Sequence, residues 1–213
     1  PYLNYSVMNQ NICWIGVDWG ITHLRCYALN DEGNLLDSAS SKDGINKIKD
    51  AKFEEALLTV IDPWLESGKV TPILACGMVG SRNGWIETPF QKTPCKPCDF
   101  EQFVKITGND SRIKIYVIPG VANLKQIDLM RSEETQLAGL LCDIDSAIVC
   151  LPGTHSKWVQ IKDGRIEKYC EQDGVHDFTN MPTIFRQKRK TFAGFKTKGY
   201  DYSEKTNKIL DIH

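Results

Sequence analysis

The stretch ICWIGVDWGITHLRCYALNDEGNLLDSAS, residues 12–40, decides the fold. Its mostly apolar run from Ile12 to Val17 is typical of a buried strand, and a glycine-containing turn at 18–22 ends that run. Apolar and polar residues then alternate over 24–29, and a second turn leads into a further short strand at 35–39. Three strands joined by short turns predict an antiparallel meander.

The segments after the meander alternate between helical and strand patterns. The predicted elements are a helix from Phe53 kinked at Pro63, a strand at Pro72–Cys76, a strand at Ile113–Ile118, a helix capped by Ser132, a strand at Ala147–Leu151, and a hairpin of 157–161 and 165–169 around Asp163-Gly164. This order predicts an α/β protein with a mixed sheet, an antiparallel N-terminal meander and flanking helices.

Composition limits the function classes. The chain has 213 residues and 24.1 kDa, which suits one domain or two small ones, and its 41% hydrophobic and 25% charged residues are typical of a globular protein. A net charge of -1 gives no global basic field for nucleic acid or membrane. Residues 1–11 form a predicted flexible segment and lack the charged-then-apolar order of a signal peptide, so we expect a cytoplasmic protein. Because the sequence opens on Pro1, we expect that the natural start is missing or processed.

Eight cysteines in a chain without an export signal indicate reduced thiols. One pair, Cys95-Lys96-Pro97-Cys98, has the spacing of a redox motif or of half a zinc site. A zinc site needs further ligands, and the sequence has no second pair of this spacing. Because prolines crowd the segment, we predict a loop here.

The end of the chain differs in charge composition from the rest. We separate residues 171–213 as a divergent basic tail, since 181–213 carry eight basic residues against three acidic ones. A short helix around 204–212 is predicted within it. Such a tail is compatible with nucleic-acid contact, but a solvated, poorly ordered end is the favoured interpretation, and no nucleic-acid partner is predicted.

Phosphate binding is not signalled by a P-loop or a Rossmann fingerprint, but two glycine turns offer another route. In the turn Asp18-Trp19-Gly20-Ile21-Thr22, glycine permits close approach, the threonine adds a hydroxyl, and the aspartate is placed to hold Mg²⁺ through water. The segment Gly153-Thr154-His155-Ser156 lies between two strands in a similar way. A pair of such turns is more specific than either one.

Each of these features also has a plain structural explanation. A D-x-G turn is more often structural, and acidic residues such as Glu133 and Glu134 are favoured at a helix start. His155 has the context of a polar loop residue, Arg25 can reach solvent, and Arg131 can pair with a nearby acid. None of them singly supports a function, so their combination and order carry the interpretation.

In that order, the motifs resemble one known family. The blocks that carry the resemblance are DWGITHLR (18–25), GMVGS (77–81) with Gly84-Trp85, IPG (118–120), MRSEETQ (130–136) and LPGTHSKWV (151–159). From Ile12 to Tyr169 the sequence resembles the 2-dehydro-3-deoxygalactonokinase family, sugar-acid kinases of the actin/hexokinase/Hsp70 superfamily. The resemblance implies a ribonuclease-H-like first lobe over 12–170, ATP and Mg²⁺ as cofactors, and a role in galactonate catabolism.

The resemblance also implies roles for individual residues. Asp18, Gly20 and Thr22 match the first phosphate turn, with Asp18 also the metal candidate, and Gly153 and Thr154 match the second. The catalytic base is expected in the acidic pair, with Glu134 favoured and Glu133 nearly as good. The residues implied to contact the sugar acid are Arg25, Met78, Gly80, Ser81, Trp85, Arg131, His155 and Lys157. The implied reaction passes the γ-phosphoryl group of ATP to O6 of 2-dehydro-3-deoxygalactonate.

Three departures qualify this prediction. Ile21 stands where the family usually has a small hydroxylated residue, and Ser132 replaces a usual glycine, where we expect it to be tolerated as an N-cap. A second lobe with the adenosine site is expected in the family, and after Tyr169 the sequence does not continue the pattern. The main alternative is therefore an inactive, truncated remnant or a sugar-acid-binding module. A weaker one is a sugar hydrolase that uses Glu133 and Glu134, although adjacent helical residues point about 100° apart.

Overall fold

The computed structural model describes residues 11–125, 127–141, 144–151, 155–173 and 192–193. The elements are β1 (Trp14–Trp19), β2 (Leu24–Leu29), β3 (Leu35–Ser41), α1 (Phe53–Ile61), β4 (Thr71–Gly77), β5 (Gln91–Lys92), β6 (Val104–Ile106), β7 (Ile113–Val117), β8 (Val121–Asn123), β9 (Asp128–Met130), α2 (Glu133–Leu140), β10 (Ala147–Leu151), β11 (His155–Lys162), β12 (Arg165–Asp173) and β13 (Phe192–Ala193).

The chain divides into two compact units. Unit 1 comprises Pro1–Pro89 and Phe100–Gly120, and unit 2 comprises Phe90–Asp99 and Val121–His213. Among the described residues, unit 1 has one sheet and one cluster of buried apolar side chains, whereas unit 2 has a four-stranded sheet, the three-stranded sheet β5-β8-β9 and two such clusters. The domain boundaries drawn from the sequence at 12–170 and 171–213 stay a prediction.

Unit 1 contains a six-stranded sheet in the order β3-β2-β1-β4-β7-β6. The pairs β1–β2 and β2–β3 are antiparallel, whereas β4 runs parallel to both β1 and β7. The predicted α/β class, with a mixed sheet that begins as an antiparallel meander, is confirmed.

The core of unit 1 follows from the alternation in its first strands. Every second residue of β1 is buried, and Trp19 at its end is fully buried, with its ring edge-on to Phe53 at 5.9 Å between centroids. In α1 the residues Phe53, Leu57 and Ile61 repeat every fourth position and face this core. The helix gives way at Ile61 to a short 3-10 turn that contains Pro63, as the sequence predicts.

Unit 2 contains a four-stranded sheet in the order β12-β11-β10-β13, in which β13 is parallel to β10 and the other pairs are antiparallel. All five residues of β10 are buried. Val149 packs into one apolar cluster and Ile148 into another, so both faces of the strand are covered. The predicted hairpin is confirmed, with left-handed backbone at both Asp163 (φ 52°) and Gly164 (φ 65°).

The tail lies mostly outside the described residues. Of residues 174–213, only 192–193 are described, as β13. The helix predicted at 204–212 and the flexible segment predicted at the N-terminus fall almost wholly outside the described ranges. None of the helices in the described part of the chain is both long and apolar enough to cross a bilayer.

Candidate functional site

The turn after β1 begins with a cross-strand ion pair. Asp18 lies directly opposite Arg25 in the β1–β2 register, and the Arg25 Nη1 donates to Asp18 Oδ2 at 3.0 Å. Both side chains are about one-third exposed, at 32% and 28%. Arg25, predicted to contact the sugar acid, is therefore placed against Asp18 of the same turn.

The backbone of this turn leaves two amide groups available. Gly20 N–H donates to the His23 carbonyl at 2.9 Å, which closes the hairpin. The N–H groups of Ile21 and Thr22 donate to no group among the described residues, and Thr22 Oγ1 lies 2.9 Å from His23 Nδ1. Successive unpaired amides next to a hydroxyl are what an anion-binding nest requires.

A neighbouring segment supports this turn from behind. The N–H groups of Ile45 and Asn46 donate to the carbonyls of Gly20 and Ile21 at 3.1 and 3.3 Å. A Cβ placed on Gly44 would lie 2.2 Å from the Ile21 carbonyl oxygen, so only glycine fits there. Two carbonyls of the turn are thus hydrogen-bonded to this segment, which holds the backbone of the turn in place.

Gly20 is different from Gly44. A Cβ on Gly20 would come no closer than 3.7 Å to any neighbouring atom, and its φ lies outside the left-handed region. The fold itself therefore does not require glycine at this position. Glycine here leaves room for a ligand to approach the backbone closely.

The glycine-rich loop after β4 emerges beside this turn. Trp19 is paired with Gly77 in the parallel β1–β4 register, so both strands end at the same edge of the sheet. Met78 and Gly80 bound a 3-10 turn, and Ser81 Oγ donates to the Met78 carbonyl at 2.7 Å, so this hydroxyl is used locally.

Trp85 ends this loop against the core of unit 1. Its ring stacks on Phe53 at 6.0 Å and meets Trp19 edge-on at 6.2 Å. Trp85 also lines a cavity of about 620 Å³ in unit 1. The remaining lining residues are mostly polar, and acidic side chains outnumber the single lysine: Asp50, Ala51, Lys52, Glu54, Glu55, Leu58, Thr107, Asn109 and Asp110. An acidic cavity does not favour a sugar acid or a phosphate.

The predicted acidic pair occupies the start of α2 in unit 2. Glu134 is 0% exposed, and its Oε1 accepts the Ser132 N–H at 3.0 Å, while Oε2 has no hydrogen-bond partner in the described part of the chain. Burial is the main reason that the pKa of Glu134 rises to about 8. Glu134 is therefore protonated at neutral pH and closed to a substrate in this structure.

Glu133 has a different environment. It is partly exposed, and its Oε2 accepts the Arg131 N–H at 2.9 Å. Burial raises its pKa, whereas the ammonium of Lys157 lowers it and the carboxylate of Glu171 raises it. The Arg131 guanidinium lies over the Phe90 ring, 4.1 Å from its centroid. Of the two acids, Glu133 is the one a substrate can reach.

The prediction that Ser132 acts as an N-cap is wrong. Its side chain makes no capping hydrogen bond, and its backbone lies at φ 92°, in the left-handed region that favours glycine. The carboxylate of Glu134 instead accepts the Ser132 N–H. A serine at this position therefore imposes backbone strain at the start of α2.

Lys157 lies on β11, where it is 3% exposed and contacts Glu171. The sequence pattern does not reveal Glu171: a plain two-residue turn at Asp163-Gly164 pairs Lys157 with Cys170, and the register shift between Gln160 and Ile161 brings Glu171 opposite it instead. Of the second predicted turn, Gly153 and Thr154 lie outside the described residues, and the side chain of His155 does too.

The cysteine pair lies in a loop, as predicted. Cys95 forms an isolated bridge with Ile166, and the Cys98 sulfur is 3.8 Å from Thr135 Oγ1. Burial raises the pKa of both thiols to about 11, opposite to the depressed value of a reactive cysteine. Within the described ranges, no three His, Cys, Asp or Glu side chains are grouped closely enough to hold a metal ion.

The structure thus brings the predicted residues together in two sets. Unit 1 holds the turn after β1 and the loop after β4 at one sheet edge: Asp18, Gly20, Thr22, Arg25, Met78, Gly80, Ser81 and Trp85. Unit 2 holds Arg131, Glu133, Glu134 and Lys157 around the start of α2. Asp18 is a single carboxylate, which suits a Mg²⁺ ion that phosphates and water mainly coordinate.

Comparison with known proteins agrees with these motifs. Residues 18–171 match the family model described as 2-keto-3-deoxy-galactonokinase. The chain is 33% identical over 168 residues to "Probable 2-dehydro-3-deoxygalactonokinase DgoK1" of Rhizobium meliloti (strain 1021). The aligned region covers 73% of this chain and 52% of the relative. It is also 33% identical over 159 residues to "2-dehydro-3-deoxygalactonokinase" of Escherichia coli (strain K12), with the same coverage.

A solved structure shows the same likeness. The "Crystal structure of a putative 2-dehydro-3-deoxygalactonokinase protein from Sinorhizobium meliloti" superimposes with a TM-score of 0.65 and 32% identity, covering 74% of this chain and 53% of that one. The chain spans about half the length of the curated relatives it matches.

Proposed function

Because this chain belongs to the 2-keto-3-deoxy-galactonokinase family, we propose that it takes part in the ATP-dependent phosphorylation of 2-dehydro-3-deoxygalactonate at O6, in the cytoplasm. The observation that carries this proposal is the turn after β1. Two amides of this turn have no hydrogen-bond partner within the described ranges, and together with the open space at Gly20 and the nearby carboxylate of Asp18 they suit a polyphosphate. Mg²⁺ bound with the nucleotide would supply positive charge against the polyphosphate, and Asp18 would hold it through water.

Glu133 is the base in this proposal. The sugar oxygen forms a bond to the γ-phosphorus, the bond from that phosphorus to its bridging oxygen breaks, and Glu133 takes the hydroxyl proton. Glu134 does not suit this role, because it is fully buried and keeps its own proton at neutral pH. Its burial also speaks against a hydrolase in which both acids reach one glycosidic bond.

Recognition of the sugar acid falls to Arg131 in this scheme. A guanidinium binds both oxygens of a carboxylate through its planar fork. Arg131 also contacts the proposed base, because its backbone N–H donates to Glu133 Oε2 at 2.9 Å. The acidic cavity beside Trp85 is unsuited to that carboxylate, and its lining is more compatible with an uncharged part of a ligand.

The decisive experiment supplies the chain with Mg·ATP and 2-dehydro-3-deoxygalactonate and follows ADP and the phosphomonoester by 31P NMR. We expect transfer, and we expect Glu133→Gln to lower kcat about 100-fold or more with little change in KM. Glu134→Gln serves as the matched control and should have the smaller effect. If Glu134→Gln is the more damaging change, the base is misassigned.

The alternative function is that of a sugar-acid-binding module or an inactive remnant. The complete burial of Glu134 favours it, because this carboxyl group cannot reach a substrate in this structure. Calorimetry with the sugar acid alone separates the two: binding without any phosphomonoester product would establish the binding module instead of the kinase.

A further inference from the structure

Lys157 is an unusual residue for its position. It is 3% exposed, whereas lysine is almost never fully buried without a partner. It lies directly opposite Glu171 in the β11–β12 register, and its ammonium contacts Glu171 Oε2. The Glu171 side chain is 33% exposed, so the pair joins a buried cation to a carboxylate near the surface.

The strand that carries Glu171 is fixed to the chain that leads into α2. The Glu171 N–H donates to Asp128 Oδ2 at 3.1 Å, and the Tyr169 hydroxyl lies 2.6 Å from the Asp128 carbonyl. Asp128 begins β9, which ends one residue before Arg131. The Arg131 N–H in turn donates to Glu133 at 2.9 Å. One continuous set of contacts therefore ties the Lys157–Glu171 pair to Glu133.

The charges around Glu133 come from several elements. Glu134 lies beside it on α2, and Lys157 on β11 and Glu171 and Tyr169 on β12 interact with it electrostatically. Among these groups, Lys157 is the one cation that favours the ionised form of Glu133, and Glu171 opposes it. The ammonium thus contacts Glu171 and acts on Glu133 through its charge.

We propose that Lys157 is a positioning residue for Glu133, held across the hairpin by Glu171, and not a contact for the sugar acid. This inference rests on the proposed function, in which Glu133 accepts the hydroxyl proton. A base must be ionised before that transfer, and a neighbouring ammonium keeps a partly buried carboxylate in that form. Glu171 limits this effect because it draws the same ammonium toward β12.

The test follows the Glu133 carboxyl group directly. Its carbon-13 signal in glutamate-labelled protein is assigned by its disappearance in Glu133→Gln, and its midpoint is then titrated by NMR. Lys157→Met should raise the midpoint by about half a pH unit or more, because a cation is lost, whereas Glu171→Gln should lower it. Lys162→Met, an exposed lysine at the end of the same strand, is the matched control and should leave the midpoint unchanged.

The two opposite shifts make the outcome decisive. A midpoint that stays within about 0.2 unit of wild type in Lys157→Met, or that rises in Glu171→Gln, overturns the inference. If Lys157→Met does not fold, as judged by its amide spectrum, Glu171→Gln still gives the diagnostic sign. The titration needs no catalysis, so a chain that shows these shifts but transfers no phosphoryl group refutes the proposed function alone.

Discussion

The sheets of the two units follow the same strand plan and bury their strands differently. In each sheet one strand has an antiparallel meander on one side and a parallel strand on the other, as in β3-β2-β1-β4 and β12-β11-β10-β13. However, β1 buries only alternate residues, whereas β10 is buried along its whole length. The shared strand order therefore does not determine how deeply the residues of each sheet are buried.

The candidate groups differ in the same way. Around β1 they are backbone amides and a partly exposed carboxylate, so their behaviour depends on the shape of a turn. Around α2 and β11 they are buried ionisable side chains, so their behaviour depends on charge and pH. Unit 1 should therefore be sensitive to added volume, and unit 2 to added or removed charge.

The largest expected effect comes from adding volume behind the turn of unit 1. Gly44→Ala places a Cβ 2.2 Å from the Ile21 carbonyl, and we expect it to lower the free energy of unfolding by about 3 kcal/mol or more. Gly20→Val is the matched variant: it should abolish Mg·ATP affinity while the protein stays folded. Urea denaturation and calorimetry measure the two effects. Unchanged nucleotide affinity in Gly20→Val would remove the support for an anion site at this turn.

An effect of similar order is expected from the charge of Glu134 in unit 2. Its pKa is about 8 in the folded chain against an ordinary 4.5, so the folded state binds more protons between these values. The free energy of unfolding should therefore fall as pH rises from about 4.5 to about 8, by on the order of a few kcal/mol. Glu134→Gln should flatten this slope. If the free energy of unfolding changes equally with pH in wild type and in Glu134→Gln between pH 5 and 8, the Glu134 carboxyl group has an ordinary pKa and the prediction is wrong.

The smallest effect is expected at Ser132. Since its φ of 92° favours glycine, Ser132→Gly should raise the free energy of unfolding by about 1 kcal/mol. Ser40→Gly, in the extended backbone of β3, is the control and should lower it by about 0.5–1 kcal/mol. Equal losses at both positions in chemical denaturation would contradict the strain at Ser132.

Much of the fold follows from patterns that are local in the sequence. The alternation in 24–29, the helical spacing from Phe53, the proline at 63 and the Asp163-Gly164 turn each specify one element, and all four elements form as predicted. The family likewise follows from ordered motifs, because each motif is a short contiguous block that can be recognised without knowing the fold.

The environment of the acidic pair did not follow from the sequence. Glu133 and Glu134 are neighbours with the same side chain, and only the packing of unit 2 buries one of them completely. A serine before an acidic pair is a normal N-cap pattern, and we gave that pattern more weight than the glycine usual at this position in the family, which is the signal of a left-handed backbone. Pairing across a hairpin depends on register, and the shift between Gln160 and Ile161 alters it.

The complete burial of β10 has a consequence for handling the protein. Before folding, AIVCL (147–151) is a short, uncharged, β-prone stretch without proline, a composition that promotes intermolecular strand pairing. Neither face of the strand has a polar residue to discourage aggregation. If unit 2 folds slowly during synthesis, unfolded chains will therefore aggregate through this stretch. Growth at low temperature should improve the yield of soluble protein.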